Sequence, residues 1–184
     1  MNTKKSLAVL IPCILILNQL WTLGARAEGA RSIVNFGLDF YSSTSASPPL
    51  GTMGFSLGFE TGKKDTWISP TFGAALGYAS GTDTLITGVL DGGVDAIAMG
   101  SKYLHPMVGV RAAFGWGHLV QPTQTSIGFL YGAIIEGGAE FKFTDDNKGK
   151  LFKIMTELKY MEGTLGALSG SALNSVTVSF GIVF

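Results

Sequence analysis

The chain has 184 residues, of which 46% are hydrophobic and only 14% are charged, and its formal net charge at pH 7 is zero. Nucleic-acid-binding proteins present a basic surface, so this charge balance argues against nucleic acid as a partner. The single cysteine, Cys13, lies in the N-terminal segment, so the rest of the chain contains no cysteine for disulfides or thiol chemistry.

The N-terminus has the three parts of a secretory signal peptide. Lys4-Lys5 forms the basic region, residues 7–17 form the apolar core, and Ala25-Arg26-Ala27 is a cleavage site of the A-x-A type. The apolar core is about half of the ~20 residues that a membrane-spanning helix needs, which favours cleavage over an uncleaved anchor. We predict a signal peptide over residues 1–27 and one mature, mildly acidic domain over residues 28–184.

The mature region consists of segments in which apolar residues alternate with polar or small ones. Residues 33–40 read IVNFGLDF, with an apolar residue at every even position. Alternation of this kind predicts a β-strand with one apolar face. In the third strand Pro70 lacks a backbone N–H donor, which predicts a bulge or a weak point there. The pattern recurs and predicts eight strands, at residues 32–41, 50–60, 66–79, 87–98, 103–117, 127–143, 150–161 and 173–184.

Longer connections alternate with shorter ones along this set of strands. The longer ones include SSTSASPP after the first strand and HLVQPTQTS after the fifth, and the clearest short hairpin signal is TDDNKG after the sixth. This alternation is expected for the external loops and periplasmic turns of an outer-membrane barrel.

The last strand is the most regular. Residues 173–184 read LNSVTVSFGIVF, and the even positions from Val176 to Phe184 are all apolar. In a soluble protein, such a strand at the edge of a sheet would be prone to aggregation. Pairing with the first strand would close a barrel and turn the apolar face to lipid. The segment also resembles the C-terminal signal strand of bacterial outer-membrane barrels, in which apolar alternation ends on an aromatic residue.

Aromatic residues on the predicted lipid face sort to the two ends of the strands, which predicts two girdles at the membrane interfaces. The girdle residues near the loops are Tyr78, Trp116, Tyr131 and Tyr160, and those near the turns are Phe141, Phe143 and Phe184.

The signal peptide, eight alternating strands, short turns and terminal Phe together resemble the small outer-membrane barrels of the OmpA/OmpX type, over the whole mature chain. The resemblance implies an all-β fold, an eight-stranded antiparallel up-and-down transmembrane β-barrel in the bacterial outer membrane. Its partners would be outer-membrane lipids and the barrel-insertion machinery, reached through the C-terminal strand. The resemblance includes no function-specific motif, so it implies function only by analogy.

An eight-stranded barrel is just wide enough for side chains to fill its lumen. We predict that the inward charges form an ion-pair network that plugs the barrel, with Arg111 as its hub because a guanidinium can bind two carboxylates. Two registers of the sixth and seventh strands stay open, one with Glu140 opposite Lys153 and one with Glu136 opposite Lys159. The predicted network consists of Asp39, Asp91, Asp95, Arg111, Glu136, Glu140, Lys153, Glu157 and Lys159, and Glu60 and Lys142 also point inward.

Two other functions remain as alternatives to a structural or surface-interaction role. Inward acids outnumber inward bases and several inward positions are glycine, so the lumen could instead be a narrow cation-preferring pore. A lipid-modifying enzyme is the less favoured alternative. Outer-membrane deacylases carry a His-x-Ser-Asn motif, and neither His105 nor His118 is followed by it. Ser126 shares a predicted loop with His118, but loops are rich in serine, so one nearby histidine does not indicate a nucleophile with its base.

We therefore expect no catalytic residue and no cofactor, and no metal-ligand cluster appears at a suitable spacing. The predicted external loops are rich in Ser, Thr, Ala and Gly and carry no adhesion signature. An extracellular partner is not defined by the sequence.

Overall fold

The structure is a computed structural model that describes residues 30–43, 52–63, 66–81, 83–99, 103–142, 151–164 and 172–183. The predicted signal peptide, the DDNKG hairpin turn and the predicted girdle residues Phe143 and Phe184 lie outside the described residues.

Eight antiparallel strands pair in sequence order, and β1 pairs with β8 to close a barrel. This confirms the predicted all-β, up-and-down fold. Among the described residues, no helix has the length and apolar character needed to cross a membrane. The strands are β1 (Ala30–Ser43), β2 (Thr52–Lys63), β3 (Ile68–Ser80), β4 (Thr84–Ile97), β5 (Leu104–Val120), β6 (Thr125–Lys142), β7 (Leu151–Gly163) and β8 (Ala172–Val183).

The outer surface of the barrel is apolar. Val110 and Phe114 of β5 are 59% and 57% exposed, and Phe180 of the closing strand is 43% exposed. The predicted outward faces are those that the structure exposes, with one exception: Phe59 shares the outward parity of β2 but is only 5% exposed. A continuous apolar exterior on a barrel with no free edge is suited to lipid, because every backbone group between the strands is paired within the protein.

The predicted alternation of long and short connections is wrong. The connections after β1, β3, β5 and β7 lie at one end of the barrel, the loop end. There, β3 and β4 are joined by a connection of three residues, and β5 and β6 by a connection of four. Both are shorter than the stretch 98–103 at the opposite, turn end. The strands reach further than predicted because Leu85 and Leu119 point inward and are each 1% exposed. The predicted fourth strand began at Thr87 and the predicted fifth strand ended at Gly117, so both residues lay outside the predicted strands.

Pro70 causes no bulge, because β3 and β4 pair continuously through the Pro70–Val94 position. The ladder between β2 and β3 ends at the Gly62–Thr71 pair, so Pro70, the next residue along β3 in that direction, is not part of it. Pro70, which has no N–H donor, therefore lies where the ladder between β2 and β3 ends, and the ladder between β3 and β4 stays in register.

Candidate functional site in the barrel lumen

Buried side chains line the lumen toward both of its ends. At the loop end a cluster of buried apolar residues, here called the loop-end apolar cluster, spans seven of the eight strands. It consists of Tyr41, Ala79, Leu85, Ala113, Leu119, Leu130, Ile134, Met161 and Leu173. Toward the turn end Ile97, Met107 and Met155 form a second apolar cluster. Buried charged side chains, among them Asp95, Arg111 and Lys153, lie between the two clusters.

Arg111 of β5 contacts four carboxylates. Its Nη2 atom lies 2.5 Å from Glu136 Oε1, 3.2 Å from Glu60 Oε2 and 3.4 Å from Asp95 Oδ2, and its Nη1 atom donates to Asp91 Oδ1 at 3.1 Å. The guanidinium is buried, with 4% of the side chain exposed. The planar fork of arginine suits this arrangement, because its donors point in several directions at once.

Lys153 of β7 reaches across the lumen to another strand. The observed register of β6 and β7 places Glu140 opposite Lys153 and Glu136 opposite Glu157, so the first of the two predicted registers is the one that occurs. The ammonium of Lys153 nevertheless binds Glu60 Oε2 of β2, at 2.7 Å. Asn35 donates to the other oxygen of the same carboxylate, also at 2.7 Å. Glu60 is therefore a central member of the network.

Arg31 of β1 belongs to the ion-pair network but was not in the sequence prediction. It pairs with Glu140 and lies 3.4 Å from Asp95, whose carboxylate also accepts a hydrogen bond from Thr71 at 2.9 Å. The first strand was predicted to begin at residue 32. Extending its alternation by one position would have placed Arg31 on the inward face with Ile33 and Asn35.

Asp39, Glu157 and Lys159 form the part of the network nearest to the loop-end apolar cluster. Lys159 Nζ lies 3.1 Å from Glu157 Oε2 and 3.9 Å from Asp39 Oδ1. Thr177 of β8 donates a hydrogen bond to the same oxygen of Asp39. The structure therefore places all nine residues of the predicted network in contact with an oppositely charged group.

Several inward glycines lie directly opposite charged residues of the neighbouring strand. Gly93 lies opposite Arg111, Gly73 opposite Asp91 and Gly181 opposite Lys153. A Cβ atom at position 73 would lie 2.7 Å from both carboxylate oxygens of Asp91. The two described cavities inside the barrel measure about 40 and 20 Å³. Each has room for only a few water molecules.

The predicted girdle residues that the structure describes lie on the outer face. Tyr78, Tyr131 and Tyr160 are exposed, and Trp116 and Phe141 are partly covered. The Tyr160 hydroxyl donates to Glu162 Oε1 at 2.6 Å, and the Tyr131 hydroxyl donates to Oε2 of the same residue at 3.4 Å. These phenols therefore have polar partners at the loop end of the exterior, where amphipathic rings favour a membrane interface.

His118 and Ser126 do not form a catalytic pair. They lie in β5 and β6 rather than in a shared loop, and His118 pairs with Ile127 while Ser126 pairs with Leu119. Leu119 is buried in the lumen and Ile127 is 72% exposed, so the two side chains project to opposite faces of the barrel wall. A nucleophile and its base must be within hydrogen-bond reach, which this arrangement prevents.

Three glutamates from separate strands come close together in the lumen. One carboxylate oxygen from each of Glu60, Glu136 and Glu157 lies within 4.8 Å of the others. Sequence spacing could not reveal this cluster, because the residues belong to β2, β6 and β7 and meet only when the barrel closes.

A closed barrel with an apolar exterior and charged residues buried in its interior defines a class, the transmembrane β-barrels. Comparison with solved structures gives the type within that class: the chain has the fold of the small eight-stranded outer-membrane barrels, the OmpA/OmpX type. No protein-family model matches the sequence, and no curated protein matches it.

Three solved structures illustrate the match. Neisserial surface protein A has a TM-score of 0.65 and 13% identity, over 84% of this chain and 96% of that one. Ail, the attachment invasion locus protein of Yersinia pestis, has a TM-score of 0.51 and 12% identity, over 85% and 99% of the two chains. The N-terminal barrel domain of Pseudomonas aeruginosa OprF has a TM-score of 0.50 and 15% identity, over 85% and 98%. At these identities the likeness concerns the fold.

Proposed function

We propose that this chain is an integral barrel of the bacterial outer membrane whose lumen is sealed and whose role is structural or surface-interacting. One observation carries the sealed lumen: buried side chains fill the interior from the loop-end apolar cluster to Arg31 and Glu140 at the turn end. Lys153, near the turn end, is 0% exposed, and Leu119, at the loop end, is 1% exposed. A conducting path would require a continuous file of water past both.

The alternative, a narrow cation-preferring pore, rests on the excess of inward acids over inward bases. The contacts favour the sealed lumen, because the carboxylates are turned toward Arg111, Lys153 and Lys159 and not toward an open channel. At the inward glycines Gly73 and Gly109, carboxylate oxygens of Asp91, Asp95 and Glu136 lie where a side chain would start, so these two positions do not widen the lumen.

Single-channel recording of the refolded mature protein in a planar bilayer tests this proposal. We expect no conductance at neutral or acidic pH. The preparation is first shown to be folded by gel migration, and a general porin is recorded under the same conditions to show that insertion and detection work. Steady cation-selective current from the folded protein would overturn the sealed lumen and favour the pore.

Enzyme activity forms no part of the proposal, since His118 and Ser126 are on opposite faces of the wall. Outer-membrane lipids are the proposed partners of the apolar exterior and its tyrosines. The fold likeness to a Neisserial surface protein and to an attachment invasion locus protein supports a surface role.

The barrel-insertion machinery is the proposed partner of the last strand. Slower assembly of a Phe184→Ala variant in membranes that contain the machinery, with unchanged refolding in detergent, would support this partner.

A further inference from the structure

A recess of about 260 Å³ lies on the outer wall of the barrel, over strands β6, β7, β8 and β1. Its apolar floor is formed by exposed outward residues, which are Ala133 and Ile135 of β6, Leu158 of β7 and Val176 of β8. Lys159 and Ser175 also border the recess, but they occupy inward positions, and the Lys159 ammonium pairs with Glu157 in the lumen. The recess therefore opens toward the membrane, because the outer wall of a transmembrane barrel faces lipid.

The edge of the recess nearest to the loops is polar. Tyr160 of β7 lies directly opposite Asn174 of β8, which lies directly opposite Ser42 of β1, and all three border the recess. Ser42 is the second-last residue of β1 and Asn174 is the third residue of β8, so this row is at the loop end of both strands. Leu158 and Val176 lie one row further from the loops. The recess thus has an apolar body and a polar rim, in the same order as the chain and the head group of an outer-leaflet lipid.

The Asn174 side chain makes no hydrogen bond to another residue in the described part of the chain. Asn174 is half-buried, and the next outward residue of its strand is the apolar Val176. An amide that leaves water without a partner costs free energy. The hydroxyl of the neighbouring Tyr160 already donates to Glu162 Oε1, at 2.6 Å. The polar head of a bound lipid would supply the partner that the amide lacks.

The charge around the recess indicates which head group fits it. The connections at the loop end, residues 44–51, 81–83, 121–124 and 164–171, contain no Lys or Arg and one acid, Asp83. Glu162 adds an acid beside Tyr160 on the outer face. Phosphate groups are bound mainly by arginine and lysine, so an anionic head group finds no cation in these segments. An amide and a hydroxyl both donate and accept hydrogen bonds, which matches the uncharged hydroxyl groups of a saccharide.

We propose that the recess binds one molecule of a glycolipid from the outer leaflet. One acyl chain lies over Ile135, Leu158 and Val176, and saccharide hydroxyls form hydrogen bonds with the Asn174 amide and the Ser42 hydroxyl. The site rests on the proposed outer-membrane location and deepens the proposed contact with lipids. It assigns one lipid class to one side of the barrel, from β6 to β1, rather than to the whole apolar exterior.

Lipid retention tests the site. The refolded mature protein is placed in phosphatidylcholine vesicles that contain a minor fraction of a galactosyl diacylglycerol with the same acyl chains. It is then extracted with a detergent that has no sugar head group, and the lipids that stay bound are counted by native mass spectrometry. We expect about one glycolipid per chain and an enrichment of about tenfold over phosphatidylcholine, the factor that one or two net hydrogen bonds supply.

Two substitutions separate the contribution of the head group from that of the chain. Asn174→Leu removes the amide and keeps a side chain of similar size, so we expect it to lose the preference for the glycolipid while still retaining lipid. Leu158→Trp fills the recess with a larger ring, and we expect it to retain less of both lipids. Val94→Trp is the matched control and keeps the wild-type pattern, because Val94 is exposed on the outer face of β4, which does not border the recess.

Three results would overturn the site. Equal retention of the glycolipid and phosphatidylcholine by the wild type would mean that water satisfies Asn174, and this measurement decides the question even if the variants fail to fold. Preferential retention of phosphatidylglycerol from a parallel vesicle mixture would indicate an anionic head group instead. Enrichment that survives both Asn174→Leu and Leu158→Trp, or that is lost in Val94→Trp, would place the lipid elsewhere. All samples are first shown by gel migration to be folded, so failure of the site is distinguishable from failure of the proposed barrel.

Discussion

Gly109 of β5 lies directly opposite Glu136 of β6, and the glutamate carboxylate occupies the space that a side chain at position 109 would need. A Cβ atom at this position would lie 2.7 Å from Glu136 Oε1 and 2.5 Å from Asp95 Oδ1. Both oxygens also contact Arg111. The absence of a side chain at position 109 thus allows an arginine and two acids to meet inside a narrow barrel.

Gly109→Ala is expected to destabilise the barrel by about 1–3 kcal/mol, the usual cost of inserting a carbon into a packed interior. The carboxylates can move only by lengthening their contacts with Arg111. Gly137→Ala is the matched control, because Gly137 points outward from β6 and a Cβ there meets nothing within 4 Å. Urea unfolding of both variants in the same lipid or detergent gives the comparison. Equal stability of the two would contradict a filled lumen at position 109.

Arg111→Ala is expected to cost about 3–5 kcal/mol, because it leaves several buried carboxylates without their cation. The unfolding free energy in a refolding titration measures the loss. Lys63→Ala serves as the control, since Lys63 is an exposed cation near the turn end of β2. An Arg111→Ala variant as stable as wild type would show that the network does not support the barrel.

Strict alternation predicted which face each residue takes, because a period of two assigns faces without knowledge of the partners. Asp39, Asp95 and Lys153 were placed inward in this way. Alternation does not predict which charges meet. Lys153 is directly opposite Glu140 on the neighbouring strand, but its long side chain crosses the lumen to Glu60. That choice depends on the width and stagger of the closed barrel, which no local pattern contains.

The sequence also could not show that the loop end of the lumen is apolar. Leu85 and Leu119 lay outside the predicted strands, which began at Thr87 and ended at Gly117. In the structure they pair with each other across β4 and β5 and are buried. The interior of an eight-stranded barrel is just wide enough for side chains to fill, so apolar side chains can pack there as in an ordinary protein core.

Folded protein is expected to migrate differently from boiled protein on a detergent gel. The barrel closes through the ladder between β1 and β8, so no free edge is available from which detergent could unravel it at room temperature. Heating opens the ladder and changes the size and charge of the detergent complex. Identical migration of boiled and unboiled samples would contradict a closed barrel in the refolded protein.

Arginine substitutions on the outer face are expected to become more costly toward the middle of the strands. Val110 lies well inside β5, points outward and is 59% exposed, so Val110→Arg places a charge in the hydrocarbon core. We expect a loss of about 2–4 kcal/mol in a lipid bilayer. Ile127 lies near the loop-end start of β6 and is 72% exposed. Ile127→Arg is expected to cost only about 0–1 kcal/mol, because an arginine near the interface reaches water.

The unfolding free energies of these two variants in lipid vesicles and in a soluble detergent micelle separate the effect of the bilayer from that of the protein. Both positions are on the outer face, so neither substitution disturbs the lumen and the difference between them reports depth. We expect the difference to be large in vesicles and smaller in micelles, whose headgroups can rearrange around the charge. A similar cost at both positions in vesicles would mean that β5 does not cross the hydrocarbon core as its apolar face requires.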